Sequence, residues 1–230
     1  MSAPCPFGEC DGTGFVEDEG DRAVRPCRCR PQRVARAKAH SLSAVIPKRF
    51  RDASWDRPPV SNMPRSVVRP VRAFADNIDA RLDAGTGLWF MGDLGTGKTT
   101  LAMLVSAAAL RAGRSVAIYS LPRLFSIIRQ SYDDASALSE VDLVDRLAVV
   151  DLLHLDDLGA ERSSEWVLEQ LYTIVNARYE EQRSIIFTTN IKERPALEDQ
   201  VGKRTVSRLL EMCEVEIPVH GEDLREELSA

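Results

Sequence analysis

Gly92-Asp93-Leu94-Gly95-Thr96-Gly97-Lys98-Thr99 is a complete G-x-x-x-x-G-K-[ST] phosphate loop, and it decides the fold. Its glycines let backbone N–H groups surround a chain of phosphate oxygens. Lys98 brings a point charge to the β- and γ-phosphates, and the Thr99 hydroxyl can ligate Mg²⁺. The flanks fit. Gly87-Leu88-Trp89-Phe90-Met91 is a short apolar run of the kind a buried parallel strand needs. Thr99 to Leu110 is rich in helix formers and stops at Gly113. A helix beginning at Lys98 aims its positive dipole end at the same phosphates.

Further strands and helices alternate downstream, which implies a parallel sheet covered on both faces. Ser66 to Ala84 reads as one amphipathic helix, with Val67, Val71, Phe74, Ile78 and Leu82 on one side and Gly85 and Gly87 ending it. Ser115–Ser120 reads as the second strand, followed by helices over Leu121–Asp133 and Ser139–Leu147. Val150–Leu155 reads as the third strand and runs into Asp156-Asp157-Leu158-Gly159. Two carboxylates at the end of an apolar strand form the second half of a nucleotide site: Asp156 to hold Mg²⁺, Asp157 to polarise the attacking water. A solvated Asp-Asp turn is the plainer alternative. A long helix over Ser163–Gln182 precedes a fourth strand, Ser184–Asn190, whose terminal amide could orient that water or merely cap a turn. Arg204 and Arg208 lie four apart on one helical face. They offer a charge that stabilises the phosphoryl-transfer transition state, or else a solvated surface. Cys213–Val219 alternates and ends near Pro218, as an edge strand can.

Four of the five cysteines, Cys5, Cys10, Cys27 and Cys29, fall in the first 29 residues as a C-x₄-C and a C-x-C pair around a 16-residue insert. The pattern fits a four-thiolate zinc site; free or redox-active thiols are the alternative. The segment has too few large apolar residues to fold alone, so a metal would supply the missing stability. Cys213 reads as a buried apolar residue, and His40, His154 and His220 have no metal-ligand spacing.

The 230 residues suit one α/β domain plus a small module. The divisions are a cysteine module over 1–40, a basic linker over 41–65 and an ATPase core over 66–230. A net charge of −5 carries no global nucleic-acid signature, yet residues 22–51 hold ten Lys/Arg and no acid. That run can face DNA, an acidic protein surface or solvent. No apolar run reaches membrane-spanning length and no signal sequence follows Met1, so the expected location is cytoplasmic, with no membrane partner.

The order of these motifs resembles the AAA+ ATPases of the DnaC/DnaI/IstB type, which are replicative-helicase loaders and transposition helpers. The matching stretches are Ile46–Trp55, the phosphate loop, Leu121–Phe125, Ile128–Tyr132, Asp151–Gly159, Thr188-Thr189-Asn190, Ser207-Arg208-Leu209 and Gly221–Arg225. The resemblance implies an AAA+ P-loop fold with a five-stranded parallel sheet, helices on both faces and a minimal lid. It implies ATP and Mg²⁺ bound by Gly92 through Thr100 with Asp156. Asn190 then resembles the first sensor, Arg225 the second, and Arg208 the finger that reaches a neighbouring subunit's nucleotide, with Arg204 the lesser candidate. Residues 121–148 occupy the insertion that contacts single-stranded DNA in this clade, with Arg123 and Arg129 as phosphate contacts. The cysteine module is similar to the zinc domain with which some loaders grip the helicase. The second acid of an AAA+ site is usually Glu; here it is Asp157. The implied function is an ATP-dependent helicase loader, with a transposition helper or a weakly hydrolysing nucleotide switch as alternatives.

Overall fold

The structure is a computed structural model that describes residues 5–17, 24–30, 33–34, 45–133, 140–160 and 164–224. Strand β1 (Phe15–Glu17) pairs antiparallel with β2 (Val24–Pro26) beside the cysteines. These strands have three residues each, too few to show a period in the sequence. After two 3₁₀ turns come helices α1 (Arg65–Asp76) and α2 (Ile78–Asp83), strand β3 (Gly87–Gly92), helix α3 (Lys98–Arg111) and strand β4 (Val116–Ser120). Helices α4 (Leu121–Asp133) and α5 (Glu140–Val149) lead to β5 (Leu152–Asp156). Helix α6 (Glu165–Glu180), strand β6 (Ser184–Thr189), helices α7 (Arg194–Val201) and α8 (Lys203–Met212) and strand β7 (Cys213–Val219) complete the order.

The large sheet runs β4-β5-β6-β3-β7 with every neighbouring pair parallel, so β7 is an edge as its Pro218 requires. Two apolar layers cover it. Trp89, Leu153, Leu155, Ile185 and Phe187 pack under α4 to α8, with the Trp89 and Phe187 ring centroids 5.1 Å apart. Leu88, Phe90, Leu152 and Ile186 pack under α1, α2 and α3. Val60 and Met63, in the stretch read as linker, are buried in this second layer.

Several boundaries differ from expectation. The single helix over 66–84 is two helices, interrupted at Asn77 (φ −111°, ψ 30°), whose side-chain amide donates to Ala73 O at 2.9 Å. Of the two parts given to Gly87, helix end and strand start, the structure keeps the second: Gly87 begins β3, as the run Gly87–Met91 implied. The third strand starts at Leu152, because the Asp151 carboxylate accepts the Ser115 N–H (2.9 Å) and hydroxyl (2.6 Å) instead of continuing the ladder. Helix α6 is capped by Ser164, whose hydroxyl accepts from Val167 N–H at 3.3 Å. The expected helix starts at Ser139 and Ser163 lie outside the described residues. Helix α7 has no counterpart in the sequence reading. Arg178 is fully buried and donates to the carbonyls of Leu147, Val150, Asp151 and Ser184, tying α5, the turn between α5 and β5, and β6 to α6. Burial pushes its pKa down to about 9.

Candidate nucleotide cleft and thiol cluster

The phosphate loop leaves the carboxyl end of β3, where a parallel sheet of this kind presents ligands. Gly97 stands at the helix boundary with φ 89°, a left-handed conformation that suits glycine. No side chain caps α3 and its first turn holds no acid, so its leading N–H groups are left for an anion. Lys98 is 5% exposed and its ammonium donates to Gly92 O (3.1 Å) and Asp93 O. The Asp93 carboxylate turns outward to Lys192 (2.5 Å) and His220 (3.6 Å). The Lys192 hydrogen bond is the main reason Asp93 ionises below the ordinary carboxylate range. The end of the described chain lies over the loop: Leu224 N–H donates to Gly95 O at 3.2 Å, and a Cβ on Gly95 would run into the Asp223 carboxylate.

Strand β5 brings its terminal acid to the same place. Asp156 Oδ1 accepts from the hydroxyls of Thr99 (3.0 Å) and Thr188 (2.7 Å). Burial would raise its pKa, but His154, Thr188 and Thr99 outweigh that and hold it low. His154 is fully buried and bonds through Nδ1 to the Ser106 hydroxyl at 3.0 Å, a structural role consistent with its lack of ligand spacing. Asp157 adopts φ 60°, a region non-glycine residues rarely enter and in which Asn, Asp and His are enriched. Its N–H is fixed by Thr188 Oγ1 at 3.0 Å. Thr188 therefore locks both acids onto the neighbouring strand.

Lys98, Thr99, Thr100, Asp156, Asp157 and Asn190 all line one cleft of about 450 Å³. Its far wall is Arg49, Phe50, Asp52, Ala53, Pro58 and Pro59. Sequence reasoning treated this segment as linker and missed the wall, because it has no periodic pattern; a signal was present in the family-like stretch Ile46–Trp55, which contains Phe50 and Trp55. The Thr99 hydroxyl beside the Asp156 carboxylate supplies hard oxygen donors at the phosphate end, a fit for Mg²⁺ that retains waters and shares the nucleotide's phosphates. Arg208 and Arg204 do not line this cleft. They line a second one with Tyr172, Tyr179, Ser207 and Glu211. Arg123 and Arg129 are exposed on α4, and the Arg129 guanidinium lies 4.7 Å from the Trp166 ring centroid. Arg225 lies outside the described residues.

The four amino-terminal sulfurs converge. Cys5 and Cys27 Sγ are 3.8 Å apart, Cys10 and Cys29 Sγ 3.6 Å, and all four lie within 4.8 Å of one another. A tetrahedral zinc with Zn–S bonds of about 2.3 Å sets its sulfurs about 3.8 Å apart, so the donor set fits that ion. Burial and the neighbouring thiols push Cys29 up to about 12, a charge problem that a bound dication resolves. Cys213, the first residue of β7, is buried as expected and belongs to no metal-ligand cluster among the described residues. No described helix is long and apolar enough to cross a membrane.

A family model described as IstB-like ATP binding protein matches residues 80–229. Among curated proteins, the replicative helicase loader DnaC of Escherichia coli K12 is 30% identical over 146 residues, covering 63% of this chain and 57% of the relative. The replicative helicase loader DnaC of Buchnera aphidicola subsp. Schizaphis graminum is 26% identical over 145 residues, with the same coverage. The chain thus spans little more than half the length of these relatives. The crystal structure of the DnaC helicase loader superposes with a TM-score of 0.63 at 27% identity, covering 75% of this chain and 99% of that one. The crystal structure of the DnaI chain gives 0.62 at 24% identity over 82% and 100%, a likeness of fold. The five-stranded parallel sheet and its phosphate loop are the AAA+ P-loop fold.

Proposed function

The chain belongs to the IstB-like ATP binding proteins, and we propose that it is an ATP-controlled loader that delivers a hexameric replicative helicase to single-stranded DNA. The observation that carries this reading is the presence, in one chain, of a DnaC-like nucleotide cleft and a four-thiol module that the cleft does not use. A helper that only sensed nucleotide would have no need of the second element.

In this reading the N–H groups at the start of α3 and the Lys98 ammonium take the β- and γ-phosphates. Thr99 and Asp156 would hold Mg²⁺, which would supply neutralising positive charge to the phosphates. Asp157 accepts the proton of the attacking water, and the Asn190 amide fixes that water's direction. Asp157 is one methylene shorter than the usual Glu, so its reach is reduced and hydrolysis is slow until assembly tightens the site. The phenyl ring of Phe50 with Ala53 and Pro59 forms the apolar wall for the base. Arg208 serves the nucleotide of a neighbouring copy, because it faces a cleft other than its own phosphate site. Arg225 joins the γ-phosphate in cis. The cysteine module holds zinc and grips the helicase, and α4 with Arg123 and Arg129 meets DNA phosphates.

The test is co-elution of the full chain with a purified hexameric replicative helicase from the same cell, in ATP and in ADP. A complex that forms with ATP and weakens with ADP is expected. Separate elution in both nucleotides would sink the loader reading.

A further inference from the structure

Arg208 projects from α8 onto α6 between two tyrosines. Tyr172 and Tyr179 are seven residues apart, so they stand on one face of α6 two turns from each other. The Arg208 guanidinium carbon lies 5.0 Å from the centroid of each ring. The Tyr179 hydroxyl donates to Glu211 Oε2 at 2.7 Å, which anchors that ring to α8 one turn beyond Arg208. Arg208 Nη1 is buried with no hydrogen-bond partner, although guanidinium remains charged in any protein setting. The aromatic faces therefore hold a cation that makes no salt bridge among the described residues, in a cleft also lined by Arg204 and Ser207.

We propose that Tyr172 and Tyr179 are positioning residues that hold the Arg208 guanidinium in the orientation it presents to the nucleotide of a neighbouring copy, with Glu211 fixing Tyr179. This rests on the reading that Arg208 acts in trans. An arginine stem with four free torsions must lose that freedom to meet a transition state, and stacking between two rings, one of them anchored to Glu211, removes much of it beforehand. The rings leave the hydrogen-bonding edge unpaired, which a carboxylate partner would not. The clamp touches no nucleotide of its own subunit, so its loss leaves ATP affinity alone and lowers turnover only in assemblies.

The experiment measures ATP hydrolysis by the full chain with an oligo-dT strand, at protein concentrations where the rate per chain rises with concentration. The variants are Tyr172→Ala with Tyr179→Ala, both tyrosines to Phe, Arg208→Ala and Lys98→Ala, with nucleotide affinity measured alongside. The double Ala variant is expected to lose turnover by about tenfold to a hundredfold at unchanged ATP affinity. The double Phe variant keeps the rings and returns most of that activity. Lys98→Ala chains keep the clamp and Arg208, so mixing them with the double Ala variant restores hydrolysis in the latter's own clefts. A double Ala variant as fast as wild type overturns the proposal. So does a mixture that stays inactive while Arg208→Ala mixed with Lys98→Ala recovers. If neither mixture recovers, the trans role of Arg208 itself falls and takes the clamp with it.

Discussion

Between Gly87 and Val219 the chain buries an apolar layer on each face of a five-stranded sheet; between Cys5 and Val34 the only buried apolar side chains among the described residues are Cys27 and Cys29. The first region positions its site by packing. Thr188 lies on β6 because Ile186 and Phe187 bury to either side of it, and Thr188 then fixes Asp156 and Asp157. The second has a two-strand ribbon, a Glu9–Arg28 ion pair and two arginines stacked on exposed Phe7 and Phe15. Solvent-exposed contacts of this kind add little to stability, because water screens the charges and the long side chains lose freedom in making them. The cleft is therefore a property of the folded core, whereas the thiol cluster has little packing of its own and, in the proposed reading, would be held together by zinc.

The comparison breaks most sharply at Cys29. Cys29→Ser is expected to release zinc and unfold the module, removing a binding free energy on the order of 10 kcal/mol. Metal analysis and amide exchange over residues 5–34 would follow this, while ATP affinity stays within about twofold of wild type if core and module are energetically separate. A variant that loses ATP binding along with zinc would join the two regions after all. Next in size is Lys98→Ala, expected to cut turnover by about a hundredfold or more with zinc content unchanged, as measured by steady-state phosphate release.

Arg178→Ala sharpens the comparison from the core side. It strips the donor from four carbonyls and should lower core stability by about 3 kcal/mol, a melting shift of roughly 6–12 °C, without loss of zinc. A shift under about 1 °C would mean that water replaces the guanidinium. The smallest effect is a pH dependence. The folded-state pKa of Asp156 is depressed, so its contribution to stability is fully present above the ordinary carboxylate value of about 3.9 and fades as pH falls through the lower folded value. Urea midpoints should therefore lose an Asp156 share of their slope below about pH 4 in Asp156→Asn, and none between pH 5 and 7.

Much of the core was legible because residue types there carry the chemistry. The glycines, Lys98 and Thr99 leave few other uses for that stretch, and an apolar run ending in Asp156-Asp157 needs only the loop as its partner. The four thiols were legible for the same reason. What stayed hidden depends on tertiary contact. Phe50, Ala53 and Pro59 form a cleft wall only because Val60 and Met63 dock on α3's layer. Arg178 reads as a solvated helical arginine and becomes a buried cross-brace through four carbonyls from three other segments. Asn77 splits a helix whose apolar spacing runs straight through it, since periodicity is blind to a local side-chain bond to Ala73 O. Arg208 could be placed on a helix face, but not between Tyr172 and Tyr179, which belong to α6, three elements earlier.

The most direct test of the account is transfer of a purified hexameric replicative helicase onto circular single-stranded DNA coated with single-strand-binding protein. With the full chain and ATP, helicase should appear on the circles, and with Lys98→Ala or Cys29→Ser in its place it should not. Equal loading by wild type and both variants, or none with wild type, would contradict an ATP-timed loader that holds its cargo through the thiol module.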